Sequence, residues 1–148
     1  MSGRNTGVNV SRDLLWLFTK NHNCNIYKQK GIKVPFTKDP LNPKGVQTLR
    51  WSGSIQRKTL SVTPHPKGKG VVLVYRKRKY QMMPKKALQR VPLLKDNRRS
   101  YRSIKKFVNR NFYRTDLKMT VLRKASAILR SQQPRIHRKR NKRAKKAE

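Results

Sequence analysis

Regularly spaced cations are the side chains of this sequence best suited to bind a ligand. Arg102, Lys106 and Arg110 follow one another at intervals of four residues, which places them on one side of a helix. Like charges at this spacing destabilise an isolated helix by about 0.2–0.5 kcal/mol per pair. A solvated helix face usually mixes both signs of charge, but no acid lies between Asp96 and Asp116. The pattern therefore indicates a surface that binds an anion.

A second helix is predicted from Thr115 to Gln133. Thr115 is its expected N-cap, Asp116 suits the positive end of the helix dipole, and Pro134 ends the pattern. One side of this helix is apolar: Leu117, Val121, Leu122, Ala125, Ile128 and Leu129. Lys118 falls among these residues, so its amine has to extend out to solvent.

The other side of this helix combines arginines with small residues. Arg123 and Arg130 are seven residues apart, and their small neighbours are Thr120, Ser126, Ala127 and Ser131. Small side chains allow a partner to approach closely, and guanidinium groups form paired hydrogen bonds to phosphates. Alanine is also the best helix former, so Ala127 by itself fits either explanation.

Groups for catalysis or metal binding are scarce. The five acids, Asp13, Asp39, Asp96, Asp116 and Glu148, occur singly, and His22, His65 and His137 lie in unrelated segments. His22 and Cys24 lack the CxxC-type partners of a structural zinc site. The sequence GKG at 68–70 lacks the phosphate-loop pattern and predicts a turn. We therefore expect no enzymatic activity, no metal, no cofactor and no small-molecule substrate.

The composition points to a polyanionic partner. The 148 residues include 40 Lys/Arg and 5 Asp/Glu, a formal net charge of +35, and residues 75–148 hold 27 of these cations. Apolar runs reach only five residues, where a membrane-spanning helix needs about 20. The single cysteine fits a reducing compartment. We expect a soluble intracellular protein without a membrane partner.

The predicted elements form an α+β fold. Ser11 caps a helix in which Leu14–Phe18 is expected to pack into the core, or else to fit a groove of a partner protein. Residues 35–45 are predicted to be a loop, and residues 48–64 and 71–79 a β-hairpin. The run beginning at Val71 is typical of a central strand covered on both faces. Residues 80–94 are expected to add an edge strand, because prolines are disfavoured in a sheet centre.

We expect a further helix from Ser100 to Phe112. Its apolar side is Tyr101, Ile104, Phe107, Val108 and Phe112. The predicted fold is therefore a small, hairpin-based antiparallel sheet packed with about three helices, followed by a basic extended tail. Residues 1–133 are expected to form one domain. Residues 134–148 are rich in Lys/Arg, so we expect them to be disordered when free, and to order on RNA or serve as a nuclear import signal.

Dispersed positive charge with few aromatic residues favours recognition of the backbone and shape of folded RNA. Trp51 and Tyr75 can stack on a base, but strand aromatics usually pack inward, and we favour that interpretation. The predicted RNA-binding residues are Arg50, Arg57, Lys58, Lys67, Lys69, Arg76, Lys77, Arg78, Arg98, Arg99, Arg102, Lys106, Arg110, Arg114, Arg123, Lys124, Arg130, Arg138, Lys139, Arg140, Lys142 and Arg143.

Three segments carry a resemblance to a known family. LRWSGSIQRKTLSV, GKGVVLV and above all YRTDLKMTVLRKASAILRSQQP resemble the eukaryotic large-subunit ribosomal protein L twenty-eight family, which is unrelated to the bacterial protein of that number. The order of segments is similar over roughly residues 11–134. The helix motif RKASAILRSQ is the most specific part, because amphipathicity alone does not dictate its order of small and basic residues.

The resemblance implies a non-catalytic α+β protein of the large (60S) ribosomal subunit. Its partners would be large-subunit ribosomal RNA and neighbouring ribosomal proteins, in cytoplasmic ribosomes after assembly in the nucleolus. The matching helix motif implies RNA contacts for Arg123, Lys124 and Arg130. Three alternatives are a nucleolar assembly factor of related fold that binds precursor ribosomal RNA, a histone-like protein that compacts DNA, and an RNA-modifying enzyme. The lack of carboxylate and histidine clusters disfavours the enzyme.

Overall fold

The computed structural model describes residues 10–80 and 83–134. The helices in this part are α1 (Arg12–Thr19), α2 (Pro84–Ala87), α3 (Asn97–Arg110) and α4 (Lys118–Ser131). The strands are β1 (Ile26–Tyr27), β2 (Phe36–Thr37), β3 (Leu60–Pro64), β4 (Val71–Arg76) and β5 (Leu88–Leu93). The predicted α+β fold is confirmed. Most of the predicted tail, residues 135–148, lies outside the described residues.

The main sheet is antiparallel and has the order β3-β4-β5. Its central strand β4 is almost wholly apolar, and Val71 to Val74 are all buried. Because side chains alternate along a strand, Val72 and Val74 are buried on the face opposite Val71 and Leu73. The prediction of a central strand covered on both faces is therefore confirmed. The edge strand is confirmed as β5, and its Pro92 pairs with Val72.

Helices α3 and α4 pack against one face of this sheet and against each other. The shared core consists of Leu60, Val62, Val71, Leu73, Ile104, Val108, Tyr113, Leu117, Val121, Ala125 and Leu129. Leu60, Ile104 and Val121 are completely buried. Truncating a large aliphatic side chain in such a core typically costs about 2–5 kcal/mol. Because the apolar sides of α3 and α4 are fixed in this core, the basic sides of the two helices face outward.

Helix α1 has the predicted N-cap but not the predicted burial. The Ser11 side chain accepts a hydrogen bond from the Leu14 amide at 3.2 Å. However, Leu17 and Phe18 are 57% and 66% exposed, and no residue of the helix is buried. Packing of Leu14–Phe18 into the core is therefore wrong. The alternative, contact with a partner protein, stays a prediction.

The segment before β3 is built from turns, whereas a longer strand was predicted. Residues 48–57 are turns and irregular backbone, and the hairpin strand begins at Leu60. Gly53 is buried against the loop at 39–41, where an added Cβ would collide with the Leu41 side chain. The predicted loop at 35–45 contains β2, which pairs with β1 as a second small sheet. The close packing of Gly53 on the loop at 39–41 explains why residues 48–57 form turns, although their polar and apolar residues partly alternate as in a strand.

Helix α3 ends in a Schellman motif with an unusual residue at its centre. The Tyr113 amide donates to Val108 O at 3.1 Å, and the Phe112 amide donates to Asn109 O at 3.4 Å. This motif requires a left-handed residue, usually glycine, after the C-cap. Here that residue is Phe112, with φ 43°. Phe112 is 82% exposed, so its predicted place on the packing side of the helix is wrong.

A second left-handed residue changes the start of α4. Arg114 has φ 46°, and a 3-10 turn at Thr115–Leu117 precedes the α-helix. The N-cap position of α4 is Leu117, without a side-chain capping bond, so the predicted Thr115 cap is wrong. The predicted apolar side is confirmed, because Leu117, Val121, Ala125 and Leu129 are buried and Leu122 and Ile128 pack against them. The described residues include no helix long and apolar enough to cross a membrane.

We predict that Phe112→Gly does not destabilise the fold. A left-handed conformation costs a non-glycine residue about 1–2 kcal/mol, and the greater freedom of glycine in the unfolded chain offsets about 0.5–1 kcal/mol of that gain. The free energy of unfolding, measured by urea titration, should be unchanged or rise by up to about 1 kcal/mol. Tyr113→Phe is the contrasting variant and should lower it by about 1 kcal/mol through loss of a hydrogen bond. A clear loss of stability in Phe112→Gly would show that the phenyl group supports the fold.

Candidate nucleic-acid interface

The acidic side chains in the described residues serve the fold. Asp96 caps α3 by accepting a hydrogen bond from the Arg98 amide at 3.3 Å. Asp39 accepts from the Leu41 amide at 2.9 Å and from the Gly53 amide at 3.2 Å. Asp13 lies in the first turn of α1, where the helix dipole favours a negative charge. These carboxylates are therefore placed to stabilise backbone. Asp96 also lines the cleft on α3 that contains Arg102, and Asp13 lines the cleft that contains Arg57.

Asp116 is the centre of an ion-pair network. Arg114 Nε and Nη2 both lie 3.0 Å from its carboxylate oxygens, and Arg50 Nε lies 3.5 Å away. Partial burial opposes ionisation of Asp116, but the hydrogen bonds and charges of the two arginines outweigh it and lower its pKa. Arg114 also donates to Lys58 O at 3.1 Å and Arg50 O at 2.8 Å. Its guanidinium group therefore joins the segment before β3 to the start of α4.

Lys124 points into the protein. Its Nζ donates to Asn42 O at 3.1 Å and to Ser61 Oγ at 3.2 Å. Burial lowers the pKa of this amine, and the Asp39 carboxylate partly opposes the shift. Lys124 thus ties α4 to β3 and to the loop that contains Asn42. We therefore leave Lys124 and Arg114 out of the proposed RNA-binding surface.

The two predicted basic helix sides are exposed. Arg102, Lys106 and Arg110 are all exposed on α3. On α4, Arg123 and Arg130 are exposed, and so are their small neighbours Ser126, Ala127 and Ser131. Lys118 reaches outward as expected, and its Nζ lies 3.3 Å from Asn109 Oδ1. These sides face away from the core, and within the described part of the chain their cations form no ion pair.

The fold brings other predicted cations together in two places. One cleft is lined by Arg57, Lys58, Arg78 and Arg114, with the start of α1 on its other side. The second cleft lies at the other end of the β3–β4 hairpin, where the hairpin turn lies beside the start of α3 and the end of α4. Reciprocal bonds between Gly70 and the Gln132 amide, at 2.8 and 2.9 Å, fix this turn. Lys69, Lys95 and Asp96 all line this second cleft.

The predicted RNA-binding residues can be divided into three groups by their exposure to solvent in the structure. Those exposed in the structure are Arg50, Arg57, Lys67, Lys69, Lys77, Arg78, Arg98, Arg99, Arg102, Lys106, Arg110, Arg123 and Arg130. Those half-buried are Lys58, Arg76, Arg114 and Lys124. Those outside the described residues are Arg138, Lys139, Arg140, Lys142 and Arg143. Arg76 Nη1 donates to Gln56 O at 3.2 Å.

Sequence reasoning missed cations that the fold adds to these surfaces. Lys105 lines a cleft on α3 together with Arg98, Arg99 and Arg102. Arg12 lines the cleft that contains Arg57. Both are ordinary charged residues in sequence, so only their position in the fold distinguishes them. In residues 10–80 and 83–134, no cluster of three or more His, Cys, Asp or Glu side chains is suited to hold a metal ion.

The two aromatic candidates for base stacking pack inward. The Tyr75 ring lies 4.6 Å from Phe107 and 6.0 Å from Tyr113, measured between ring centroids. Trp51 packs against the core, and Lys44 Nζ lies 4.1 Å from its ring centroid. The interpretation that both residues belong to the core is confirmed.

A small α+β fold whose carboxylates bond within the protein and whose helix sides expose cations is typical of proteins that bind polyanions. Comparison with known proteins then specifies the family. The sequence model of the Ribosomal L28e protein family matches residues 14–131. The chain is 30% identical over 131 residues to large ribosomal subunit protein eL28 of Schizosaccharomyces pombe, covering 86% of this chain and 97% of that protein. The chain belongs to the Ribosomal L28e protein family, and the resemblance predicted from its sequence is confirmed.

Adjacent residues of α4 provide a matched test of the surface. Lys124→Ala should lower the free energy of unfolding by about 1–3 kcal/mol, because Asn42 O and Ser61 Oγ lose their donor. Arg123→Ala should change it by no more than about 0.5 kcal/mol, because Arg123 is exposed. Each variant removes one positive charge. RNA affinity of the folded proteins, measured by filter binding, should fall for Arg123→Ala only. The reverse order of RNA affinities would contradict this assignment of the two side chains.

Proposed function

We propose that this protein is a structural constituent of the large ribosomal subunit and binds ribosomal RNA. The single observation that carries the proposal is the exposed, unopposed basic sides of α3 and α4 in a member of a ribosomal protein family. Cations on rigid helices contact phosphates and fix position and orientation rather than sequence. In this function the protein supports translation without being an enzyme.

The proposed RNA surface combines the helix sides with the exposed cations of both basic clefts, and it does not include Arg114. Arg102, Lys106 and Arg110 contact phosphates from α3, and Arg123 and Arg130 from α4. Small residues beside Arg123 allow the helix backbone to approach the RNA closely. The predicted tail would contribute further contacts, and neighbouring large-subunit proteins would be additional partners. We place the protein in cytoplasmic ribosomes after assembly in the nucleolus.

Sedimentation tests this function. The protein should remain with large subunits of translating ribosomes after a high-salt wash. Its presence in precursor particles only would overturn the proposal in favour of an assembly factor. In a competition assay, large-subunit ribosomal RNA should displace an equal mass of duplex DNA. A clear preference for DNA would count against ribosomal RNA as the ligand.

The basic side of α3 gives a direct mutational test. The variant Arg102→Glu/Lys106→Glu/Arg110→Glu should fold about as well as the wild type, because all three side chains are exposed. The new carboxylates repel one another as the cations did, but the one at position 102 gains Arg98, Arg99 and Lys105 as neighbours three or four residues away. Each lost charged hydrogen bond costs about 1.5–3 kcal/mol, so the loss of three should lower RNA affinity by at least roughly a thousandfold and abolish incorporation into subunits. Both quantities can be measured by competition binding and gradient sedimentation.

The matched control reverses the same number of charges elsewhere. Lys28, Lys30 and Lys33 are exposed around the turn between β1 and β2 and are not predicted to bind RNA. Lys28→Glu/Lys30→Glu/Lys33→Glu should therefore weaken RNA binding far less. Equal losses in the two variants would mean that net charge, rather than the α3 side, determines affinity.

The salt dependence of binding reports how many cations contact phosphates. If on the order of 10 phosphates are neutralised, the logarithm of affinity should fall with the logarithm of salt concentration with a slope of about −7 to −9. Titrations of the wild-type protein with large-subunit ribosomal RNA at several potassium concentrations measure this slope. A slope near −2 would show that most of the cations do not contact phosphate.

A further inference from the structure

The α3–α4 corner exposes an aromatic ring that the fold does not use. Phe112 is 82% exposed, more than any other large hydrophobic side chain in the described residues. Its neighbour Tyr113 is buried, with its hydroxyl 2.6 Å from Arg76 O and 3.1 Å from Thr59 O. The corner is therefore anchored by Tyr113, and Phe112 projects from an anchored position.

The backbone at Phe112 is unfavourable for phenylalanine. With φ 43°, it occupies the position of the Schellman motif that usually contains glycine. A left-handed conformation is a genuine outlier for a bulky residue. Glycine would complete the same hydrogen bonds without this strain. The ring is exposed and the backbone is strained, so folding stability does not account for the phenylalanine, whereas a ligand contact does.

The α3–α4 corner that presents the Phe112 ring contains several cations. Arg110 is exposed in the last turn of α3, and Lys118 Nζ lies 3.3 Å from Asn109 Oδ1 at the same corner. Lys58 Nζ lies 5.7 Å from the ring centroid of Tyr113. The nearest acid in sequence, Asp116, already binds Arg114. An apolar protein pocket closing over Phe112 would have to desolvate these cations, whereas RNA would neutralise them.

We propose that Phe112 stacks on an unpaired nucleobase of ribosomal RNA, with Arg110 and Lys118 contacting the flanking phosphates. This inference rests on the proposed function and specifies one contact of it. Aromatic side chains stack on any base, because every base has a π face. Unpaired bases are available in loops and bulges of folded RNA. The α3–α4 corner therefore contacts a single-stranded feature, whereas the basic helix sides contact phosphates.

Substitutions at residue 112 separate a base from an apolar pocket. We would measure affinity for deproteinised large-subunit ribosomal RNA in the presence of excess transfer RNA. Phe112→Tyr keeps the aromatic face and should bind like the wild type. Phe112→Leu keeps apolar character but not the aromatic face, and Phe112→Gly removes the side chain. Both should weaken binding by about 5- to 150-fold, the range found when a stacked aromatic is truncated.

Two controls make the result specific. Phe18 is an exposed aromatic residue on α1, so Phe18→Leu matches Phe112→Leu in chemistry at a different place and should leave RNA affinity unchanged. Urea unfolding of Phe112→Gly controls for folding, and retained stability together with weakened RNA binding supports the stacking contact. A stability loss that accounts for the weakened binding would overturn it.

The remaining outcomes each have a defined meaning. Wild-type affinity in Phe112→Leu with loss in Phe112→Tyr would indicate an apolar pocket and overturn base stacking. Wild-type affinity in all three variants would also overturn it. If the α3 triple variant then still loses binding, the proposed RNA-binding function stands without the stacking contact. Failure of the wild-type protein to bind ribosomal RNA above transfer RNA would overturn both proposals.

Discussion

Electrostatic repulsion among the cations is the constraint on which the rest of the structure depends. With 40 Lys/Arg and 5 Asp/Glu, the chain has few acids with which to offset its own charge. Residues four apart on a helix such as α3 have Cβ atoms about 5–6 Å apart, which is less than the Debye length of about 8 Å at physiological ionic strength. Salt therefore screens this repulsion only in part. The fold tolerates this repulsion because an apolar core holds the helices together. The few carboxylates add to its stability by accepting hydrogen bonds from backbone amides or by pairing with arginine.

The same constraint divides the cations into two groups. Arg114 and Lys124 are used by the fold, and each bonds backbone carbonyl groups of segments distant in sequence. Residues such as Arg102 and Arg123 are exposed and have no such role. In a protein with few carboxylates, carbonyl oxygens supplement them as acceptors for the internal cations: Arg114 bonds both Asp116 and carbonyl groups, and Lys124 bonds Asn42 O. The surface cations are consequently left for a partner.

Periodicity predicted the elements that have a clear inside and outside. The buried side of α4 and the apolar side of α3 apart from Phe112 follow from the helical spacing of their residues, and the central strand β4 follows from its continuous apolar run. The burial of helix α1 was predicted wrongly. An apolar run indicates that its residues favour contact with other apolar groups, but it does not show whether those groups belong to the same chain or to a partner. The turns at 48–57 depend on contacts with the loop near Leu41, which alternation within the segment does not reveal.

The candidate site was predictable at the level of helix sides but not of individual atoms. Lys124 lies next to Arg123 in a basic motif, and only the path of its long side chain turns the amine inward. Phe112 continues the apolar spacing of α3, but the helix ends before it and the backbone reverses. In both cases the deciding interaction is tertiary: a bond to Ser61 for Lys124, and the anchoring of Tyr113 for Phe112.

The hydroxyl of Tyr113 has a consequence for the thermodynamics of the proposed RNA binding. By bonding to Thr59 O and Arg76 O, it attaches the connection between α3 and α4 to the ends of β3 and β4. The two basic helix sides are thereby pre-organised, and their relative orientation is set during folding. Little conformational entropy of the backbone is then lost on association, so more of each phosphate contact is retained as net affinity. An RNA with a different spacing of phosphates would have to deform itself, since these helices cannot adjust to it independently.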